Sequence, residues 1–144
     1  MFPSFVIDAS VILAWYDPRE YNAYADGVLD CLEKEMAITP PLCCFEVNNV
    51  YRLFEKKGLF TSLDSEKAIA FINNLPILRD GTAIEFSMPL VMRLSREYGL
   101  TIYDACYLEL AVRLNLPLAS LDNELLKAAK AAGIEIKTPK THEE

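Results

Sequence analysis

Residues 5–15 read FVIDASVILAW, in which three apolar residues are followed by an acid and then by a second apolar run. The first run has the length of a short buried strand, and Asp8 stands at its end. A new element begins at Ala9 and continues to Trp15. It stops at Asp17-Pro18, because the residue before a proline is pushed out of the helical region. The stretch therefore predicts a buried strand that ends in a carboxylate and is followed by a helix.

Short apolar runs alternate with longer amphipathic segments along the rest of the chain. The short runs predict strands at 36–39, 77–78, 118–121 and 134–136. The amphipathic segments predict a helix through Glu46 that ends before Gly58, and further helices at 22–35, 65–74, 85–98, 102–114 and 125–132. Buried strands separated by helices are typical of a mainly parallel sheet with both faces covered. We therefore expect an α/β domain.

The size and composition of the chain indicate one folded unit. Its 144 residues match a single domain, and a hydrophobic fraction of 52% is enough for a sizeable core. We expect residues 1–139 to form this domain and residues 140–144 to be a short tail. No apolar run approaches the roughly 20 residues of a membrane span, and no signal peptide is apparent, so we expect a cytoplasmic protein. The four cysteines lack zinc-ligand spacing and are interpreted as buried reduced thiols.

Four acidic residues occupy positions where ligands collect in such a fold. Asp8 and Asp122 end two predicted strands, and ligands gather outside the carboxyl ends of parallel strands. Glu46 and Asp104 lie on helices among apolar neighbours, where an unpaired carboxylate is costly. Taken singly, each acid has an ordinary explanation as a helix cap, a turn residue or a helix-face charge. If the four converge, their repulsion calls for a cation, and hard oxygen ligands favour Mg²⁺ or Mn²⁺.

Most other chemistries lack their residues in this sequence. The single histidine, His142, lies in the predicted tail, so no histidine base is placed beside a serine or cysteine nucleophile. The chain has neither the G-x-x-x-x-G-K-[ST] pattern nor the G-x-G-x-x-G pattern. Metal-assisted phosphodiester hydrolysis remains, in which ions lower the pKa of a water and neutralise the charge that grows on the phosphate.

Four ordered blocks of sequence cover nearly the whole chain. They are VIDAS at 6–10, EVNN at 46–49, YDACYLELA at 103–111 and LASLDNEL at 118–125. In this order and spacing they resemble the PIN-domain family, most closely the VapC-type toxins of prokaryotic toxin–antitoxin pairs. The resemblance implies a three-layer α/β/α sandwich with a mainly parallel central sheet. It also implies an Mg²⁺- or Mn²⁺-dependent endoribonuclease that hydrolyses RNA with a metal-activated water.

The resemblance carries over to particular residues. It implies that the metal-binding and catalytic acids are Asp8, Glu46, Asp104 and Asp122. It also places Ser10, Asn49 and Ser120 where side chains orient carboxylates or water. Helix-cap or turn roles explain these three polar residues equally well.

The partners implied by the resemblance are an RNA substrate, a cognate antitoxin that occludes the site, and commonly a second copy in a homodimer. The net charge of −7 has the wrong sign for a general nucleic-acid surface, but without the four acids it would be −7 + 4 = −3. The cations available for RNA are Arg52, Lys56, Lys57, Arg93 and Arg96, with Lys127 and Lys130 on the last helix. A solvated helix face is the ordinary interpretation of these residues.

Two other functions stay open at this level. One is a PIN-like module that binds RNA or the antitoxin and regulates with little catalytic turnover. The other is a PIN nuclease of general RNA processing. The sequence contains no appended RNA-binding domain or zinc ribbon, which makes the second of these the weaker hypothesis.

Overall fold

The computed structural model describes residues 2–139, so the predicted tail 140–144 lies outside them. Four strands form its centre: β1 (Phe5–Ile7), β2 (Ala37–Thr39), β3 (Ile77–Arg79) and β4 (Leu118–Ala119). All neighbouring strands are parallel, in the order β3-β2-β1-β4. The sheet is thus wholly parallel in the described part of the chain, as the pattern of short apolar runs predicted.

Helices cover the sheet on both sides. They are α1 (Ala9–Ala14), α2 (Ala23–Cys31), α3 (Leu42–Lys56), α4 (Ser62–Asn73), α5 (Ile84–Tyr98), α6 (Ile102–Leu114) and α7 (Asn123–Ala131). Helix α3 packs against α1 and α4, whereas α6 packs against α5, α7 and strand β1. This arrangement confirms the three-layer α/β/α sandwich. Between residues 2 and 139, no helix has the length and apolar character needed to cross a membrane.

Strand β1 lies at the centre of the sheet and brings two distant parts of the chain together. Val6 pairs with Ile38 of β2 on one side and with Leu118 of β4 on the other. Just past the strand, the N–H of Asp8 donates to the carbonyl of Ala119 at 3.1 Å. The chain therefore leaves β1 toward β2 and later returns on its opposite side. A crevice at such a reversal, outside the carboxyl ends of the strands, is where α/β proteins bind ligands.

Several element boundaries differ from the sequence prediction: α2 ends at Cys31 and not at 35, and β4 spans Leu118–Ala119 and not 118–121. Helix α4 begins at Ser62 and not at 65, because Thr61 and Asp64 form a reciprocal capping box that starts the helix earlier. The strand predicted at 134–136 is wrong: it is reduced to one parallel bridge between Ile136 and Leu118. Strand β4 has only two residues, so it offers little edge to pair with.

Candidate metal centre

Asp8 is a buried carboxylate at the carboxyl end of β1. It is the N-cap of α1, only 4% of its surface is exposed, and it accepts a hydrogen bond from the backbone N–H of Val11 at 3.3 Å. The hydroxyls of Ser10 and Ser120 each donate to one of its two oxygens at 2.5 Å. Both carboxylate oxygens are therefore held by hydroxyl groups, one from the same helix and one from beyond β4.

Burial disfavours the ionised form of this carboxylate. It raises the pKa of Asp8 from 3.8 to about 6, and the hydrogen bonds from Ser10, Ser120 and Val11 offset only part of the rise. The negative charge of Asp122 adds to the increase. The fold therefore holds an acid whose ionised form is disfavoured in the absence of a cation.

Asp122 stands beside Asp8 as the N-cap of α7. Its Oδ1 accepts hydrogen bonds from the backbone N–H groups of Glu124 and Leu125 at 2.9 and 3.1 Å. Its own N–H donates to the Ser120 hydroxyl oxygen at 3.0 Å, so Ser120 connects the two acids. The capping role that the sequence suggested is present, but Oδ2 makes no hydrogen bond within residues 2–139. That oxygen is available to a ligand.

Asp104 and Glu46 extend the group of acids away from Asp8. Asp104 lies in the first turn of α6, half-buried, with its N–H donating to the Thr101 hydroxyl at 3.1 Å. Burial raises the pKa of Asp104, and the charge of Asp122 raises it further. Glu46 on α3 is also half-buried, and burial raises its pKa, with a further rise from the charge of Asp104.

The four acids thus form an electrostatically connected line. Asp122 acts on both Asp8 and Asp104, and Asp104 acts on Glu46. Within residues 2–139, none of the four pairs with a lysine or arginine. In the same residues, no three acidic, cysteine or histidine side chains are already placed around one point as ligands of a metal ion. The donor set fits a hard divalent cation in its chemistry, and it is not preassembled around one.

The remaining candidate residues divide into those near the acids and those on outer surfaces. Asn49 and Arg52 are exposed and line an open hollow of about 730 Å³ on α3 together with Glu46. Arg52 also faces Glu55 at 3.6 Å. The other predicted cations are exposed on their helices: Lys56, Lys57, Arg93, Arg96, Lys127 and Lys130. Arg52 thus lines this hollow together with one of the four acids, Glu46.

Sequence reasoning did not identify Tyr107 as a polar partner of the site. Its hydroxyl donates to Oε1 of Glu46 at 2.6 Å, although the two residues are 61 positions apart. The spacing i, i+3 from Asp104 placed Tyr107 on the same face of the helix, which is a signal of proximity and not of a hydrogen bond. The partner, Glu46, becomes apparent only when α3 and α6 are seen side by side.

Comparisons with known proteins bear on the family and fold of this chain. The PIN-domain family profile matches residues 5–131. Ribonuclease VapC3 of Pyrobaculum aerophilum is 27% identical over 124 residues, which cover 83% of this chain and 90% of that protein. The crystal structure of PAE2754 from Pyrobaculum aerophilum superposes with a TM-score of 0.61 and 26% identity, covering 88% of this chain and 79% of that chain. A toxin–antitoxin complex from Klebsiella pneumoniae gives a TM-score of 0.64 at 18% identity, covering 95% of this chain and 98% of that chain. The resemblance carried by the four sequence blocks is confirmed, and the chain belongs to the PIN-domain family.

Proposed function

We propose that this protein is a divalent-metal-dependent endoribonuclease that acts as the toxin of a toxin–antitoxin pair. The observation that carries the proposal is a series of interacting carboxylates in a PIN-domain fold, from Asp8 through Asp122 and Asp104 to Glu46, none of which pairs with a lysine or arginine within residues 2–139. The similarity of this chain to a protein named Ribonuclease VapC3 supports RNA as the substrate.

Each acid has a role in this proposal. Asp8, Glu46, Asp104 and Asp122 hold Mg²⁺ or Mn²⁺, and the Ser10 and Ser120 hydroxyls keep the Asp8 carboxylate in one orientation. The bound ions would activate a water and neutralise the charge that develops on the scissile phosphate. The apolar burial around Asp8 keeps water away from its carboxylate, which strengthens its attraction for a cation.

The RNA lies on the surface around Glu46 in this proposal. Asn49 and Arg52 face the hollow that adjoins Glu46, so Arg52 is the cation best placed to meet a phosphate of the substrate. Lys56 and Lys57 follow on the same helix, and Arg93 and Arg96 lie on α5. With the acids neutralised by cations, the remaining charge of the chain opposes RNA much less than its net value of −7 suggests.

The proposal extends to the partners and setting of the toxin. We propose residues 1–139 as one nuclease domain, with residues 140–144 as a tail. Similarity to a chain of a toxin–antitoxin complex supports a cognate antitoxin that covers the acids. A homodimer and a cytoplasmic location, where RNA is available, complete the proposal.

Cleavage of total cellular RNA by the purified protein tests the activity. The reaction is run with Mg²⁺, with Mn²⁺ and with EDTA, beside Asp104→Asn and the control Glu66→Gln, which removes an exposed acid of α4. We expect discrete products that need a divalent ion, persist in the control and disappear with Asp104→Asn. Sequencing the ends of the products then identifies the cleaved position.

Two results would count against the proposal. Cleavage that survives EDTA or persists at full rate in Asp104→Asn would refute a metal-dependent reaction at these acids. A folded protein that binds RNA or divalent ions and cuts nothing, across RNA pools from several growth conditions, would instead favour a regulatory binding module. Toxicity of expression that is relieved by a co-expressed small protein distinguishes the toxin from a nuclease of general RNA processing.

A further inference from the structure

Tyr107 connects the core of the protein to one of the four acids. It lies on α6, which packs on β1, and only 1% of its surface is exposed. Its hydroxyl donates to Oε1 of Glu46 at 2.6 Å. A buried aromatic ring has little freedom to move, so the hydroxyl offers a fixed hydrogen-bond donor to a side chain that is itself only half-buried.

A buried polar line continues behind Tyr107. The Cys43 thiol interacts with the side chains of both Tyr107 and Thr39. The Thr39 hydroxyl donates to the carbonyl of Ile7 at 2.8 Å, directly before Asp8 in the chain. Cys43 and Thr39 therefore lie between Tyr107 and the strand end that precedes Asp8. Glu46 stands on the second turn of α3 and not at the end of a strand, so Tyr107 on α6 supplies its fixed donor, as Ser120 beyond β4 does for Asp8.

A glutamate is a flexible ligand unless another group fixes it. Its three side-chain torsions allow many positions, and ordering them costs conformational entropy. One hydrogen bond from a rigid donor selects one orientation and occupies one oxygen, which leaves the other oxygen for a cation. Asp8 and Asp122 are held as N-caps of α1 and α7, and serine hydroxyls also fix the carboxylate of Asp8.

We infer that Tyr107 is a positioning residue for Glu46: its hydroxyl fixes Oε1, so that Oε2 is the oxygen presented to the divalent cation. The inference rests on the proposed metal-dependent function. Removing a group that orients a metal ligand in this way typically weakens metal binding by about 10- to 100-fold. The loss is expected in affinity for the metal and not in the chemical step at saturating metal.

The chain offers a closely matched control for this test. Tyr51 is also 1% exposed and packs in the same core, but its buried hydroxyl has no hydrogen-bond partner among residues 2–139. Tyr107→Phe and Tyr51→Phe therefore remove the same atom from equally buried rings. Only the first of the two deletions breaks a contact with an acid of the site.

Mn²⁺ binding to the full chain without RNA is measured by calorimetry for the unaltered protein and both phenylalanine variants. We expect Tyr107→Phe to raise the dissociation constant for Mn²⁺ by about 10- to 100-fold and Tyr51→Phe to leave it unchanged. In RNA cleavage, Tyr107→Phe should need correspondingly more Mn²⁺ for half-maximal rate and should recover the full rate at saturating Mn²⁺. Equal Mn²⁺ affinity in Tyr107→Phe and the unaltered protein would overturn the inference.

A double variant shows whether the effect passes through Glu46. Tyr107→Phe is introduced into a Glu46→Ala background, which leaves no side chain to position, so it should weaken Mn²⁺ binding no further. The same fold-loss in both backgrounds would refute positioning of Glu46 and indicate a general effect on packing. An unaltered protein that neither binds Mn²⁺ nor cleaves RNA would refute the proposed function itself, whereas an active protein indifferent to Tyr107→Phe would refute only this inference.

Discussion

Replacing Asp8 by asparagine should stabilise the metal-free protein at neutral pH. Burial raises the pKa of Asp8 to about 6, so the folded chain binds a proton there more readily than the unfolded chain does. Above that pH the carboxylate is ionised in a buried place next to the charge of Asp122. Asparagine has nearly the same shape and no charge, so it removes this penalty.

The magnitude follows from the size of the pKa change. A rise from 3.8 to about 6 is about two units, and at about 1.36 kcal/mol per unit the ionised Asp8 costs the fold about 3 kcal/mol. Because folding raises the pKa of Asp8, the protonated Asp8 contributes to the free energy of unfolding. This contribution is complete below the unfolded pKa of 3.8 and is lost as the pH rises through the folded pKa of about 6. The NH₂ group of the asparagine must face one of the two serine hydroxyls and cannot accept its hydrogen bond. We take the loss of this hydrogen bond to cost about 1 kcal/mol. The expected net change is a gain of about 2 kcal/mol at about pH 7.5 and a loss of about 0.5 kcal/mol at about pH 4.

Urea unfolding in EDTA at the two pH values measures this difference directly. Urea is preferred to guanidinium because added salt would screen the repulsion between Asp8 and Asp122. The control is Glu66→Gln, which removes a carboxylate from an exposed position of α4. An Asp8→Asn protein that is no more stable than the unaltered chain at neutral pH, or equally stabilised at both pH values, would refute the reasoning. Millimolar Mn²⁺ should then stabilise the unaltered protein and not the variant.

Three further substitutions test other parts of the structure by urea unfolding. Arg113→Met should lower the free energy of unfolding by about 3 kcal/mol. It leaves Asp80 and Glu109, whose carboxylates lie 2.7 Å from the guanidinium, without a cationic partner. The same hydrogen bonds hold the pKa of Asp80 low in spite of burial, so this difference should shrink as the pH falls through that pKa. Thr61→Ala should cost about 1 kcal/mol by removing the capping box of α4, and an unchanged midpoint would contradict that role. Ser120→Ala should cost about 1.5 to 3 kcal/mol at neutral pH, because it removes a donor to the buried carboxylate at the end of β1.

The strands and their class could be predicted because the signal for them is local. A three-residue apolar run that ends in Asp8 or Thr39 identifies a buried strand without reference to any other part of the chain. The order β3-β2-β1-β4 could not be predicted in this way, because all four strands are short and nothing local selects their neighbours. Residues 134–136 are apolar enough to predict a strand. They form only one bridge, to Leu118, because the neighbouring strand β4 has two residues.

In the candidate site as well, contacts between residues close in sequence could be predicted, and contacts between distant residues could not. The hydrogen bond from Ser10 to Asp8 spans two residues and belongs to a helix start that the sequence indicates. The bond from Ser120 spans 112 residues, and the one from Tyr107 to Glu46 spans 61. Residue type and family resemblance pointed to Ser120, whereas Tyr107 was readable only as an aromatic residue of a buried helix face. Hydrogen bonds across the sheet require knowledge of which elements are adjacent.

The electrostatic cost at Asp8 is itself an argument about function. A penalty of about 3 kcal/mol is large beside the roughly 5 to 15 kcal/mol that typically separates folded from unfolded chains. A single uncharged residue would remove it, and the two serines that hold the carboxylate would be unnecessary for packing alone. Local features that oppose stability without an evident structural gain are expected at functional sites. A cation bound to these acids would reverse the sign of the effect, because the burial that disfavours the free carboxylate strengthens its attraction for the ion. The cost at Asp8 therefore supports the proposal that Asp8 serves as a metal ligand in addition to capping α1.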